Sequence, residues 1–174
     1  MSALLWNTFF IVIYAYLGIV AGFVLSKIAP EEIKPGRRYF NYAHFFLLLF
    51  LILFVYFFGL IDINIFSFAL VFIGVIIGFF EANIFLFLGM GIVFFSNELA
   101  IVFATITFVY GMIVVSLKPD KKALFYNSLY YFTPVILFFI AVSFRAIAAR
   151  YEMPLIFGVF LAYFYKLIFK KKSL

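Results

Sequence analysis

The single histidine of this chain, His44, closes a polar stretch, KIAPEEIKPGRRYFNYAH at 27–44, that also holds Lys27, Glu31, Glu32, Lys34, Arg37 and Arg38. Lys34, Arg37 and Arg38 are types that grip a phosphate, the guanidinium through paired N–H donors and the ammonium as a point charge. His44 would relay protons if an ionisable group faced it, and Glu81 is the candidate at the same level of the expected bundle. One imidazole does not make a metal site, which takes three or four protein ligands. The stretch reads more simply as a turn at a membrane surface. Its bases would each attract anionic headgroups by about 1 kcal/mol, and Tyr39 and Tyr42 suit the interface. Pro30 and Pro35 hinder a continuous helix there, and Gly36 eases the tight re-entry.

Two further residues stand out. Arg145 lies in TPVILFFIAVSFRAIAARYEMP, 133–154, where a sixth helix ends near Ser143 or runs on to Arg150. An arginine a turn inside a membrane pairs with an acid (Glu98, Asp62 or Glu152), snorkels to the surface, or recognises a ligand. Pro134 is expected one turn into the sixth helix. There it either opens backbone around a ligand site or serves as a harmless first-turn proline. Pro154 fits the start of a seventh helix. The pairs Gly18–Gly22 and Gly74–Gly78 permit close approach of neighbouring helices. The chain has no cysteine. It also lacks a His-Glu-x-x-His or Gly-x-Ser-x-Gly signature, so nothing in it asks for a metal or another cofactor.

The elements that position these residues must lie in a membrane. Of the 174 residues, 69% are hydrophobic and 11% charged, with 30 Phe and 12 Tyr. A soluble domain is about half apolar and about a quarter charged. The net charge of +6 sits in short loops, which points to anionic headgroups rather than nucleic acid. Residues 1–25 carry no base ahead of Lys27 and read as a retained first span. The apolar runs predict an all-α bundle with seven spans near 4–25, 39–58, 63–80, 82–97, 99–117, 127–144 and 153–169. The fourth is doubtful. Its apolar part, 84–95, would rise only about 18 Å against a hydrocarbon core of about 30 Å, so it either crosses or re-enters. Seven crossings put all of the 13 basic residues except Arg145 and Arg150 on one side; six would divide them almost evenly. The excess of positive charge inside selects seven, with the N-terminus outside and the C-terminus cytoplasmic.

An internal repeat is also suggested. AYLGIVAGFVLSKIAPEE, followed by RRYFNYAHFF, resembles FVYGMIVVSLKPDKK followed by ALFYNSLYYF. Phe40-Asn41 and Tyr126-Asn127 then hold matching places in two parallel triplets joined by the short fourth helix. This 3+1+3 layout is similar in topology to the SWEET and PQ-loop transporters, although the Pro-Gln pair of the latter is absent. The resemblance implies a carrier.

Three functions follow from these features. A carrier for a polar solute should line its route with polar side chains, and the helix interiors offer chiefly Asn7, Thr8, Ser67, Thr105, Thr107, Thr133 and Ser143. That inventory is thin for a sugar or an amino acid and suits a lipid-like substrate better. A lipid-modifying enzyme would use the Lys34–His44 segment. The near absence of soluble loops favours a third reading, a non-catalytic subunit or accessory factor that meets another membrane protein or its own copies in the cell membrane.

Overall fold

Ala29 alone separates the first two helices of the computed structural model, α1 (Ser2–Ile28) and α2 (Pro30–Phe58). After them come α3 (Ile65–Phe79), α4 (Ile84–Phe94), α5 (Asn97–Leu117), α6 (Lys121–Ile140) and α7 (Arg145–Lys170). The structure describes residues 2–58, 64–80, 83–95, 97–117, 119–140 and 145–170. The regular structure within them is α-helical throughout, as expected from the long apolar runs.

The polar stretch at 27–44 is helix rather than an open turn. Pro30 occupies the first position of α2, where its missing N–H costs nothing, and Glu31 and Glu32 lie in the first turn, next to the positive end of the helix dipole. Pro35 lies inside the helix and removes one backbone donor. The carbonyl left without it belongs to exposed Glu31, where water replaces the bond. Gly36 is therefore a helix residue, not a hinge.

The seven-span arrangement does not hold. Among the described residues, four segments are long and apolar enough to cross a membrane: Trp6–Ile28, Pro35–Phe58, Glu98–Leu117 and Glu152–Phe169. The reason lies first in length. The 15 residues of α3 and the 11 of α4 rise about 22 Å and about 16 Å, short of a hydrocarbon core of about 30 Å. Helix α6 is 20 residues long but carries Lys121, Lys122, Asn127, Ser128 and Thr133, and is not among the four. With that count goes the 3+1+3 repeat: α3 has 15 residues and its supposed counterpart α7 has 26. The division of basic residues that placed the N-terminus outside and the C-terminus in the cytoplasm rested on seven crossings, and it falls with them.

The short helix is the centre of the molecule. Eight residues of α4 are buried, Ile84, Phe85, Phe87, Leu88, Gly89, Gly91, Ile92 and Val93, and it packs against α1, α5, α6 and α7. A helix apolar all round is one surrounded by protein or lipid, and here the surroundings are protein. Helix α3 is the opposite case. Only Ser67, Gly74 and Gly78 of it are buried, and α7 is its one substantial neighbour among the described residues.

Two close crossings frame this centre. On α1, a Cβ added to Gly18 would strike the Phe108 backbone of α5, and one on Gly22 would fall 2.8 Å from Met112 Cα. On α3, a Cβ at Gly78 would lie 2.6 Å from Ala162 Cβ of α7, while Gly158 of α7 faces the Val71 carbonyl of α3. Both glycine pairs thus let backbones touch, and the gain is dispersion between well-fitted surfaces rather than hydrophobic transfer.

Candidate functional site

Four helix ends converge on a cavity of about 440 Å³: the starts of α4 and α6 and the closing turns of α5 and α7. Its walls include Phe85 and Val114, and its polar lining is Asn83, Asn127, Tyr163 and Lys166. All four polar residues are half-buried.

Helix capping fixes the orientation of the two amides. Asn83 is the N-cap of α4, and its Oδ1 accepts from the Phe85 N–H at 3.0 Å. That leaves its Nδ2 as a donor, and it donates to Asn127 Oδ1 at 2.8 Å. Both carbonyl oxygens are therefore engaged, and Asn127 Nδ2 keeps two N–H groups with no acceptor among the described residues. Lys166 Nζ stands 5.7 Å from the Tyr163 ring centroid and pairs with no carboxylate among the described residues. The cavity thus presents an ammonium and unused amide N–H groups, while each amide oxygen already accepts one bond.

A second polar pair lies inside the bundle, where Tyr110 is fully buried. The Tyr110 hydroxyl lies 2.9 Å from His44 Nε2, and the two rings meet edge to face with centroids 5.1 Å apart. Between α1 and α6, Tyr16 and Ser128 share a 2.9 Å hydrogen bond, and buried Tyr131 donates to the Val12 carbonyl at 2.9 Å. Buried phenols need such partners, and these bonds tie α2 to α5 and α1 to α6.

No protein-family model, curated protein or solved structure matches this chain. Its site is read from its own geometry.

Among the described residues, the cavity lining includes none of the sequence-derived candidates. Arg37 and Arg38 are exposed in the opening turns of α2, with Arg38 Cζ 5.9 Å from the Tyr42 ring centroid. The Lys34 side chain and Glu81 lie outside the described residues, so the suggested His44–Glu81 relay does too; the described partner of His44 is Tyr110. Pro134 is buried in the interior of α6, not in its first turn, and a Cβ on Gly89 of α4 would meet its Cγ at 3.0 Å. Arg145 opens α7 rather than ending α6, and its side chain lies outside the described residues. Among the described residues, no three His, Cys, Asp or Glu side chains gather as a metal site would require.

Asn83, Asn127, Tyr110, Tyr163 and Lys166 were not among the candidate site residues, although Asn127 marked the suggested repeat. One signal existed: an Asn directly before an apolar run is a helix start, which places Asn83 at the N-terminus of α4. Nothing local to the sequence shows that Asn127, 44 positions away, meets it.

Proposed function

We propose that the chain is a non-catalytic integral membrane protein of the cell membrane, serving as a subunit or accessory factor of a larger membrane assembly. The observation that carries this reading is how α3 is held. It rests on α7 through Ser67, Gly74 and Gly78, while Phe68 and Phe72 are 70% and 66% exposed. At about 22 Å it is too short to match a hydrocarbon core of about 30 Å. A helix of another membrane protein laid over Phe66, Phe68 and Phe72 relieves that mismatch without thinning the bilayer.

The filled interior supports the same reading over a carrier. Tyr110, Tyr131, Phe103 and Phe160 are fully buried in it. Three of the helix hydroxyls are spent locally: Thr105 donates to the Ile101 carbonyl, Ser116 to Ile113 and Thr133 to Leu129. A solute route needs such groups facing a shared path. The test is native mass spectrometry of gently solubilised protein, with photo-crosslinkers at Phe68 and Phe72 and a control at exposed Phe50 of α2. A partner protein of fixed stoichiometry, crosslinked from α3 and not from Phe50, is expected. A monomer or homo-oligomer that retains one defined small molecule would overturn the reading in favour of a carrier.

A further inference from the structure

The geometry points to the cavity between α4, α5, α6 and α7 as a binding site for a phosphate-type oxyanion. This site stands whether or not the chain has a protein partner. Three observations converge on it.

The first is hydrogen-bond polarity. With Asn83 Oδ1 accepting from the Phe85 N–H and Asn127 Oδ1 accepting from Asn83 Nδ2, each amide oxygen already takes one bond, while the Asn127 amide keeps both of its N–H groups. Lys166 adds an ammonium, which donates and never accepts. A group made only of acceptor oxygens complements such a lining. An ammonium, which only donates and carries the same charge as Lys166, does not.

The second is charge. Among the described residues the cavity lining includes Lys166 and no acid. Exposed Lys121 and Lys122 form the first turn of α6, with no acid in that turn. Cations there oppose the positive end of the helix dipole, as does any cation near the N-terminus of α4. Asp120, just before them, is committed to capping, its Oδ1 accepting from the Lys122 N–H at 3.1 Å. An anion seated at the two helix starts offsets charges that the fold alone places unfavourably.

The third is shape. At about 440 Å³ the cavity is within the roughly 300–1,000 Å³ range of ligand pockets. Its Phe85 and Val114 walls suit an apolar tail attached to the anionic head. A lipid phosphate and a free phosphate share the head chemistry, and the experiment separates them.

Detergent-purified protein is titrated with phosphatidylglycerol or phosphatidylcholine by native mass spectrometry, and with radiolabelled orthophosphate by equilibrium dialysis. Lys166→Gln removes the charge and keeps the stem. Asn127→Asp keeps the acceptor for Asn83 but turns donors into a carboxylate. Lys166→Arg restores the charge, and Arg38→Gln removes an exposed base outside the cavity. One phosphatidylglycerol per chain is expected, retained about tenfold less well in Lys166→Gln and Asn127→Asp and unchanged in Lys166→Arg and Arg38→Gln. Lys166-dependent uptake of orthophosphate without a preference between the lipids upholds the oxyanion site and assigns it to a soluble ligand. If neither Lys166→Gln nor Asn127→Asp alters either probe, or Arg38→Gln weakens lipid retention as much, the site is refuted. Unchanged melting of Lys166→Gln and Asn127→Asp shows that their lower retention does not come from unfolding.

Discussion

Replacing Gly22 by Ala puts one methyl group where α1 and α5 have none to spare. Its carbon would stand 2.8 Å from Met112 Cα and 2.9 Å from the Met112 carbonyl carbon, and closer still to the oxygen. Carbon atoms settle at about 3.5–4.0 Å, so the helices must part locally by roughly 0.7–1 Å. Neither side can yield by rotating a side chain, because both contacts are backbone. A gap of that size forfeits about a quarter to a half of the dispersion well of each pair across it. The cost belongs at the top of the range for overpacking, about 3 kcal/mol. Gly18→Ala meets the Phe108 backbone in the same way and should cost a similar amount. The two sites are one turn apart on one interface. Once the helices have parted for the first methyl, the second finds room, so the double variant should lose at least about 1 kcal/mol less than the sum.

The assay is reversible unfolding in mixed micelles, followed by circular dichroism and by protease resistance. Gly36→Ala is the control. Its nearest atoms are those of the Phe40 ring, at 3.3 Å, which can swing away. In the helix it should be neutral or gain up to about 1 kcal/mol. A Gly22→Ala variant within about 0.5 kcal/mol of the parent, or strict additivity with Gly18→Ala, would refute backbone contact at this crossing.

Substitutions at two other positions test polar groups. The Thr107 hydroxyl is buried with no hydrogen-bond partner among the described residues, so Thr107→Val should raise stability by about 1 kcal/mol in the same unfolding assay; a loss would mean that the hydroxyl is satisfied. Asn83→Ala removes both the cap of α4 and the bond to Asn127 and should cost about 1–2 kcal/mol, whereas Asn83→Asp keeps the cap and should recover about half. Equal losses in the two variants, again by unfolding, would show that capping contributes nothing.

What the sequence conveyed was chemistry summed over long stretches. The all-helical bundle and its affinity for a membrane follow from apolar runs too long and uninterrupted for anything else. The glycine spacing on α1 and α3 located both crossings, because a four-residue repeat of a side chain that is absent has few other uses. The roles of α3 and α4 were not legible. Both are short and apolar, and composition cannot distinguish lipid from protein as surroundings, yet α4 is buried at the centre and α3 hangs on one neighbour. Pro134 misled for a related reason: helix α6 begins at Lys121, six residues ahead of the apolar run, so a proline near the start of the run lies deep in the helix. The candidate site depends on contacts such as Asn83–Asn127 and His44–Tyr110, which no local pattern encodes.

The failed span count and the cavity have one cause. Helix α4 starts at Ile84, level with Val114 and Val115 of α5 and with Asn127 of α6, since all of them line the same space. Helix α7 runs a full turn past Lys166 to Lys170, and α6, which contributes Ala123 and Asn127 to the lining, begins six residues before Asn127. An 11-residue helix wedged among neighbours of 20 to 27 residues must leave space at an end, unless other side chains fill it. At the other end Phe95 and Phe103 do so, with ring centroids 5.1 Å apart and Phe54 beside them. At the Asn83 end the available groups are amides, a phenol and a lysine, which cannot close into an apolar plug without desolvating a charge. The core is thus complete at one end of α4 and polar at the other, so a substitution that lengthened the helix past Asn83 would close the cavity without disturbing either glycine crossing.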